Sequence, residues 1–276
     1  MLKKILVPFD GSKISEKILH QVRRLLVQED AKTLLLRVVP PGPNRGSEEA
    51  EVAEAAQHLR EQGGDAQHAL VQSADPATGI LACARRYRPS LIAMSTHGRT
   101  GLKRLTRGSV AERVLRASPF PLLLWNPFRP SGIGRGGSAR FRKILVPLDG
   151  SKASARILPL VKAFARLNAA RVTLLHVVTL TPTVGEYAGI VLTPSTQDIK
   201  KVLEPSRRLL RGVTASIRVE LGFPSESILA AAQREEADLI AMTTHGRSGI
   251  SRWAFGSVAE NVLRHSPLPL LIQRSA

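Results

Sequence analysis

The chain repeats itself, and that repetition limits its architecture before any local propensity is weighed. Lys4-Ile5-Leu6-Val7-Pro8-Phe9-Asp10-Gly11-Ser12 returns as Lys143-Ile144-Leu145-Val146-Pro147-Leu148-Asp149-Gly150-Ser151, an offset of 139 residues from Asp10 to Asp149. Leu91-Ile92-Ala93-Met94-Ser95-Thr96-His97-Gly98-Arg99 returns as Leu239-Ile240-Ala241-Met242-Thr243-Thr244-His245-Gly246-Arg247, now at an offset of 148. The second half therefore carries nine extra residues between these blocks, and they fall between its second strand and its third helix. Asn126 to Phe141 separates the halves, and its Gly, Pro, Ser and Arg content suits an exposed connector. The expected organisation is a first domain over 1–126, a linker over 127–141 and a second domain over 142–276.

Within each half, short β-branched and leucine-rich runs alternate with helical patterns, the signature of βαβ units around a parallel sheet. Five strands are expected per domain. In the first they are Lys4–Pro8, Thr33–Val39, Ala66–Gln72, Leu91–Ser95 and Pro121–Trp125, read as apolar runs buried on both faces. Helix one carries Ile14, Ile18, Val22, Leu25 and Leu26 at helical spacing, and its counterpart Ile157, Val161, Phe164 and Leu167. Ser12 and Ser151 are natural N-caps. The second helix is expected over about Glu48–Gln62, while Pro205 should kink its counterpart or mark its start.

A doubly wound sheet binds ligands beyond the carboxyl ends of its strands, where the strand order reverses. With the order 3-2-1-4-5, that crevice brings Asp10 near Ser95 through Gly98, and Asp149 near Thr243 through Gly246. Beyond a nine-residue segment that follows Gly98 or Gly246 come Gly108-Ser109 and Gly256-Ser257, which read as helix starts whose free N–H groups suit an anion. Arg99, Lys103, Arg104 and Arg107 add positive charge in the first copy. A second reading predicts the same helices: Ser109 with Glu112, and Ser257 with Glu260, fit a capping box. Asp10 and Asp149 either cap helix one or accept hydrogen bonds from a ligand's hydroxyl or amine groups. His97 and His245 lack a nucleophile or partner carboxylate at a recognisable spacing, and Trp253 and Phe255 read as packing or interface residues.

These motifs together, K-I-L-V-P-x-D-G-S, M-[ST]-T-H-G-R and G-S-V-A-E-x-V-L-R before a final P-L-L strand, resemble the universal stress protein family over nearly the whole chain, twice. The resemblance implies an α/β fold of two tandem doubly wound five-stranded parallel-sheet domains, Rossmann-like, with strand order 3-2-1-4-5. It also implies ATP or a related adenine nucleotide, with Mg²⁺ arriving on it, held between strands one and four of each domain. ATP-binding members carry G-x-x-G, nine residues, then G-[ST]; here Ser95 and Thr243 stand where the first glycine would be. The implied nucleotide contacts are Pro8, Asp10, Val38, Ser95, Gly98, Gly108, Ser109 and Val110 in the first copy. In the second they are Pro147, Asp149, Val177, Thr243, Gly246, Gly256, Ser257 and Val258. Single-domain relatives pair their last strands as dimers, so Pro121–Trp125 and Pro269–Gln273 would form that pair within one chain, an intramolecular pseudo-dimer able to associate further. The expected role is a stress-response regulator in which the nucleotide acts as a conformational or partner-binding switch, with hydrolysis slow or absent. The alternative is a nucleotide-free scaffold that binds proteins or polyanions, in part through Thr179–Ser195.

Composition narrows the rest. The net charge of +18 is spread evenly over the two halves, so nucleic acid is expected only as a non-specific partner. Met1 to Gly11 has too short an apolar stretch for a signal peptide or membrane span, and a cytoplasmic location is expected. No metal-ligand spacing is present. The single cysteine, Cys83, sits in an apolar pattern with Ile80, Leu81 and Ala84 and is expected in the core of a helix.

Overall fold

The computed structural model describes residues 2–13, 15, 16, 18, 19, 31–43, 45–96, 110–126, 141–179, 195–244 and 256–274. Gly98, Gly108, Ser109, Gly246, both histidines of the T-H-G segments, Trp253, Phe255, Arg99, Lys103, Arg104 and Arg107 lie outside the described residues. So do Ile14, Val22, Leu25 and Leu26 of helix one, residues 127–140 and residues 180–194.

The chain forms two compact units, Met1–Arg140 joined by Pro267–Arg274, and Phe141–Ser266. In the first unit, strands β1 (Lys4–Pro8), β2 (Lys32–Val39), β3 (Asp65–Gln72), β4 (Leu91–Ser95) and β5 (Leu122–Trp125) run parallel in the order β3-β2-β1-β4-β5. A last strand, β10 (Leu270–Gln273), adds to this unit antiparallel to β5, with Leu271 opposite Leu123. That pairing covers a strand edge that would otherwise be open. In the second unit, β6 (Lys143–Pro147) lies between β7 (Arg171–Val178) and β9 (Leu239–Thr243), and β8 (Ala215–Leu221) pairs β7, all parallel.

Central strands carry the core because they are covered on both faces. Ile5, Leu6, Val7, Leu91, Ile92 and Ala93 are fully buried, as are Leu145, Val146, Leu239, Ile240 and Ala241 in the second copy. The expectation of burial on both faces fails for the third strand of each copy. β3 and β8 are largely half-exposed, since each has one strand neighbour among the described residues; β8 places polar Ser216, Arg218 and Glu220 at alternate positions, and β3 carries Asp65, Gln67, His68 and Gln72.

Helix boundaries follow from caps. Helix Gly46–Glu61 ends where Gly63 takes a φ of 86°. Helix Pro76–Tyr87 starts with proline in its first turn and Asp75 as N-cap, the Asp75 carboxylate accepting from Thr78 N–H at 2.9 Å. Its counterpart, Pro224–Arg234, has Phe223 as N-cap and no side-chain cap.

Four expectations need correction. Pro205 does not mark the start of its helix: Thr196–Leu209 is capped by Ser195, whose hydroxyl accepts from Asp198 N–H at 3.1 Å, and Pro205 sits exposed in its interior. On the solvent side, the carbonyl orphaned by a proline can turn to water. The first helix of the second copy is two pieces, Lys152–Ala155 and Leu158–Asn168, divided just before Pro159, and its buried stripe ends on Asn168 rather than Leu167. Phe141 is not linker but core, 4% exposed, with its ring 6.2 Å from that of Phe164. Cys83 is half-buried rather than in the core, and desolvation raises its thiol pKa above the usual range.

Candidate nucleotide cleft

In the second unit a cavity of about 240 Å³ opens at the carboxyl ends of β6, β7 and β9. Pro147 and Asp149 reach it from β6, Val177 from β7 and Thr243 from β9; Gly256, Ser257 and Val258 reach it from the start of helix Ser257–His265. Every described residue expected in this copy's site therefore lines one space. The sequence reading missed Pro224 and Ile228, which wall the cavity from the third helix, and Ser154 and Thr179. The crossover rule could have found the first two, since the helix after the third strand must return over the first strand to reach the fourth.

The polar features have local causes. Asp149 Oδ1 accepts from Ser151 N–H at 2.9 Å, and Gly150 between them takes a φ of 81°, where a side chain would be strained. Ser151 Oγ then accepts from Ser154 N–H at 3.1 Å. The helix cap is thus serine, and aspartate holds the turn before it while lining the cavity. Asp10 repeats this, accepting from Ser12 N–H at 3.0 Å and Ser12 O–H at 2.6 Å across Gly11 at φ 74°.

The capping-box reading fails in the second copy. Gly256 is the N-cap of helix Ser257–His265, there is no side-chain cap, and Ser257 is the first helical residue. Glu260 turns instead to Arg264, 2.7 Å away one turn on, and Glu112 pairs Arg116 at 2.7 Å in the first copy. Gly256 has no side chain to cap the helix, so the start of the helix, with the positive end of its dipole, lines the cavity without an N-cap side chain. Thr243 is 6% exposed and forms wall rather than plug, because the cavity persists beside it.

In the first unit, Pro8, Asp10, Val38 and Ser95 occupy the corresponding ends of β1, β2 and β4, and Val110 is the first described residue of helix Val110–Ala117. The rim differs. Arg113 grips the Asp75 carboxylate with two hydrogen bonds of 2.5 and 2.6 Å, joining the starts of helices Pro76–Tyr87 and Val110–Ala117. That guanidinium, helped by the Thr78 hydroxyl, lowers the Asp75 pKa to about 2. Helix Pro76–Tyr87 also lies close on Val38: a Cβ on Gly79 would stand 2.7 Å from Val38 Cγ1. At the matching positions the second copy has Phe223, Asn261 and Ser227.

Among the described residues no group of His, Cys, Asp and Glu is placed to hold a metal, and no helix is long and apolar enough to cross a membrane.

Comparison with known proteins agrees with the duplicated fold. Residues 1–125 and 140–274 each match the universal stress protein family. A universal stress protein of Methanocaldococcus jannaschii is 30% identical over 155 residues, 49% of this chain and 96% of its own length. One of Bacillus subtilis is 31% identical over 147 residues, 49% of this chain and 99% of its own. A crystal structure of a universal stress protein from Archaeoglobus fulgidus superimposes over 100% of both chains with a TM-score of 0.75 and 25% identity. With the family matched in both halves and a solved member following the chain from end to end, this protein belongs to the universal stress protein family as a tandem, two-repeat member.

Proposed function

We propose that this protein is an adenine-nucleotide-binding regulator of a stress response, holding ATP or a related adenylate between strands one and four of each repeat. One observation carries the reading: Pro147, Asp149, Val177, Thr243, Gly256, Ser257 and Val258, named from sequence, line a single cavity at a helix start with no side-chain cap. Amides at such a start attract phosphate oxygens. Asp149, acceptor-only when ionised, suits ribose hydroxyls or an adenine amine, and Val177, Pro224 and Ile228 offer apolar surface to the base. The cavity, at about 240 Å³, lies below the roughly 300–1,000 Å³ usual for drug-sized ligands and suits one nucleoside-sized group. In this reading Pro8, Asp10, Val38, Ser95, Gly98, Gly108, Ser109 and Val110 form the first site, Gly246 completes the second, and Mg²⁺ enters only with the nucleotide.

The nucleotide acts as a switch for partner binding, not as a substrate turned over quickly. Each repeat is one domain, with Phe141 opening the second, the chain works in the cytoplasm, and pairing of β5 with β10 supports an intramolecular pseudo-dimer. Isothermal titration with ATP tests the core of this reading. Replacing Asp149 by Ala is expected to weaken the second site about tenfold to a hundredfold, the usual cost of losing a hydrogen bond to a charged group. Unchanged affinity would remove Asp149 from the site, and no heat from the native chain would remove the nucleotide.

A further inference from the structure

The second unit holds another cavity, of about 490 Å³, at the opposite end of its sheet from the nucleotide cleft. It opens at the amino ends of β6, β7 and β8, where Lys143 and Arg171 begin their strands, and beside Glu235, which follows the last turn of helix Pro224–Arg234. Leu145, Thr173 and Ser216 are neighbours in register, so they share one face of the sheet and form the floor.

The first repeat shows what fills this place. Tyr87 matches Glu235 in sequence, and Lys4 and Lys32 match Lys143 and Arg171. The Lys4 ammonium lies over the Tyr87 ring, 5.1 Å from its centre, and the Tyr87 hydroxyl donates to the Lys32 carbonyl at 3.2 Å. Burial pushes the Tyr87 hydroxyl pKa up to about 12, so the group packed there is a neutral phenol. The second repeat has no ring at this position. Glu235 turns to Arg218 of β8, and Thr173 and Ser216 stand where the first repeat has the longer Leu34 and Gln67. Shortened and diverted side chains thus leave one recess, lined by cations and hydroxyl-bearing residues above the fully buried Leu145.

We propose that this cavity is a further binding site, for a small neutral phenolic compound whose ring takes the place that Tyr87 fills in the first repeat. Lys143, held at the mouth by an exposed pairing with Glu236 at 2.6 Å, offers its ammonium to the face of the ring. The Arg171 carbonyl accepts from the phenol hydroxyl, as the Lys32 carbonyl does from Tyr87. The site stands apart from the nucleotide reading, since it shares no lining residue with the cleft at the other end of the sheet.

The test titrates the full chain with p-cresol, the tyrosine side chain as a free molecule, followed by heteronuclear NMR. The amide signals of Thr173, Ser216 and Ala237 are expected to shift and saturate, and toluene, which lacks the hydroxyl, should bind roughly twofold to tenfold more weakly. Glu235→Tyr, which gives the second repeat the ring of the first, should weaken p-cresol binding about tenfold or more; Thr173→Leu, which fills the floor, serves if that variant does not fold. In the converse experiment, Tyr87→Ala opens the same recess in the first repeat and lowers the melting temperature, and p-cresol restores part of the loss by binding the folded form. Shifts absent from these amides, or undiminished in the filled variants, would overturn the site. Toluene bound as tightly as p-cresol would overturn the phenol, and a Tyr87→Ala melt that p-cresol does not raise would overturn Tyr87 as the guide to the ligand. N-acetyltyrosinamide bound more tightly than p-cresol would overturn the free compound in favour of a tyrosine on another protein.

Discussion

The two repeats are alike inside and unlike at their rims, and that division separates what the fold demands from what a site can vary. Leu6 and Leu145, Ile92 and Ile240, and the turns at Gly11 and Gly150 occupy matching places, as do the left-handed residues Arg88 and Glu236 at φ 51° and 49°. The ion pair inside the fourth helix recurs as well, Glu112 with Arg116 and Glu260 with Arg264. At the rim the match stops. Asp75 and Arg113 form a bidentate pair in the first copy, whereas Phe223, 66% exposed, and Asn261 stand in the second. The second helices differ in sign too: Gly46–Glu61 carries Glu48, Glu49, Glu51, Glu54 and Glu61 against Arg60, and Thr196–Leu209 carries Lys200, Lys201, Arg207 and Arg208 against Asp198 and Glu204. A buried leucine has few substitutes that keep its volume, while an exposed rim residue is constrained only by what it touches.

If the frames are equivalent, matching core substitutions should have matching costs. Leu6→Ala and Leu145→Ala, both at fully buried positions, are each expected to destabilise their own repeat by about 2–5 kcal/mol, measured as shifts of the transitions in scanning calorimetry. A repeat that tolerated its substitution with a much smaller loss would show that the two cores are not packed alike.

A smaller effect should separate the rims. The folded-state pKa of Asp75 is about 2, below the ordinary value of 3.8, so its interactions stabilise the first repeat fully above about pH 4. That contribution fades as pH falls from about 4 towards 2, because the carboxyl group is then protonated and releases Arg113. The second repeat has phenylalanine at this position and cannot have that dependence. Measured by acid unfolding, the native chain should therefore exceed Asp75→Asn in stability above about pH 4, by no more than the roughly 1 kcal/mol of an exposed pair, and the difference should vanish as pH falls towards 2. Equal acid profiles would mean that the pair contributes nothing to stability.

Much of this was legible because it follows from periodicity and topology. β1 and β4 have the bounds expected of them, and the order of the strands then brings distant motifs to one crevice. What was not legible depends on contacts that no local pattern encodes. Asp75 and Arg113 are 38 residues apart and meet only because their two helices pack side by side. Ser257 with Glu260 has the spacing of a capping box, yet the glutamate pairs an arginine one turn along, and Gly256 is the N-cap. Phe141 reads as connector from its neighbours and is core because the ring of Phe164 is there to meet it. The helix around Pro205 survives its proline because that residue faces water.

Native mass spectrometry of the freshly purified chain, titrated with ATP, tests the central claim most directly. The account predicts mass increments of up to two adenine nucleotides per chain as ATP is raised, one for each repeat. A chain that carries no adenine nucleotide at any ATP concentration would contradict it.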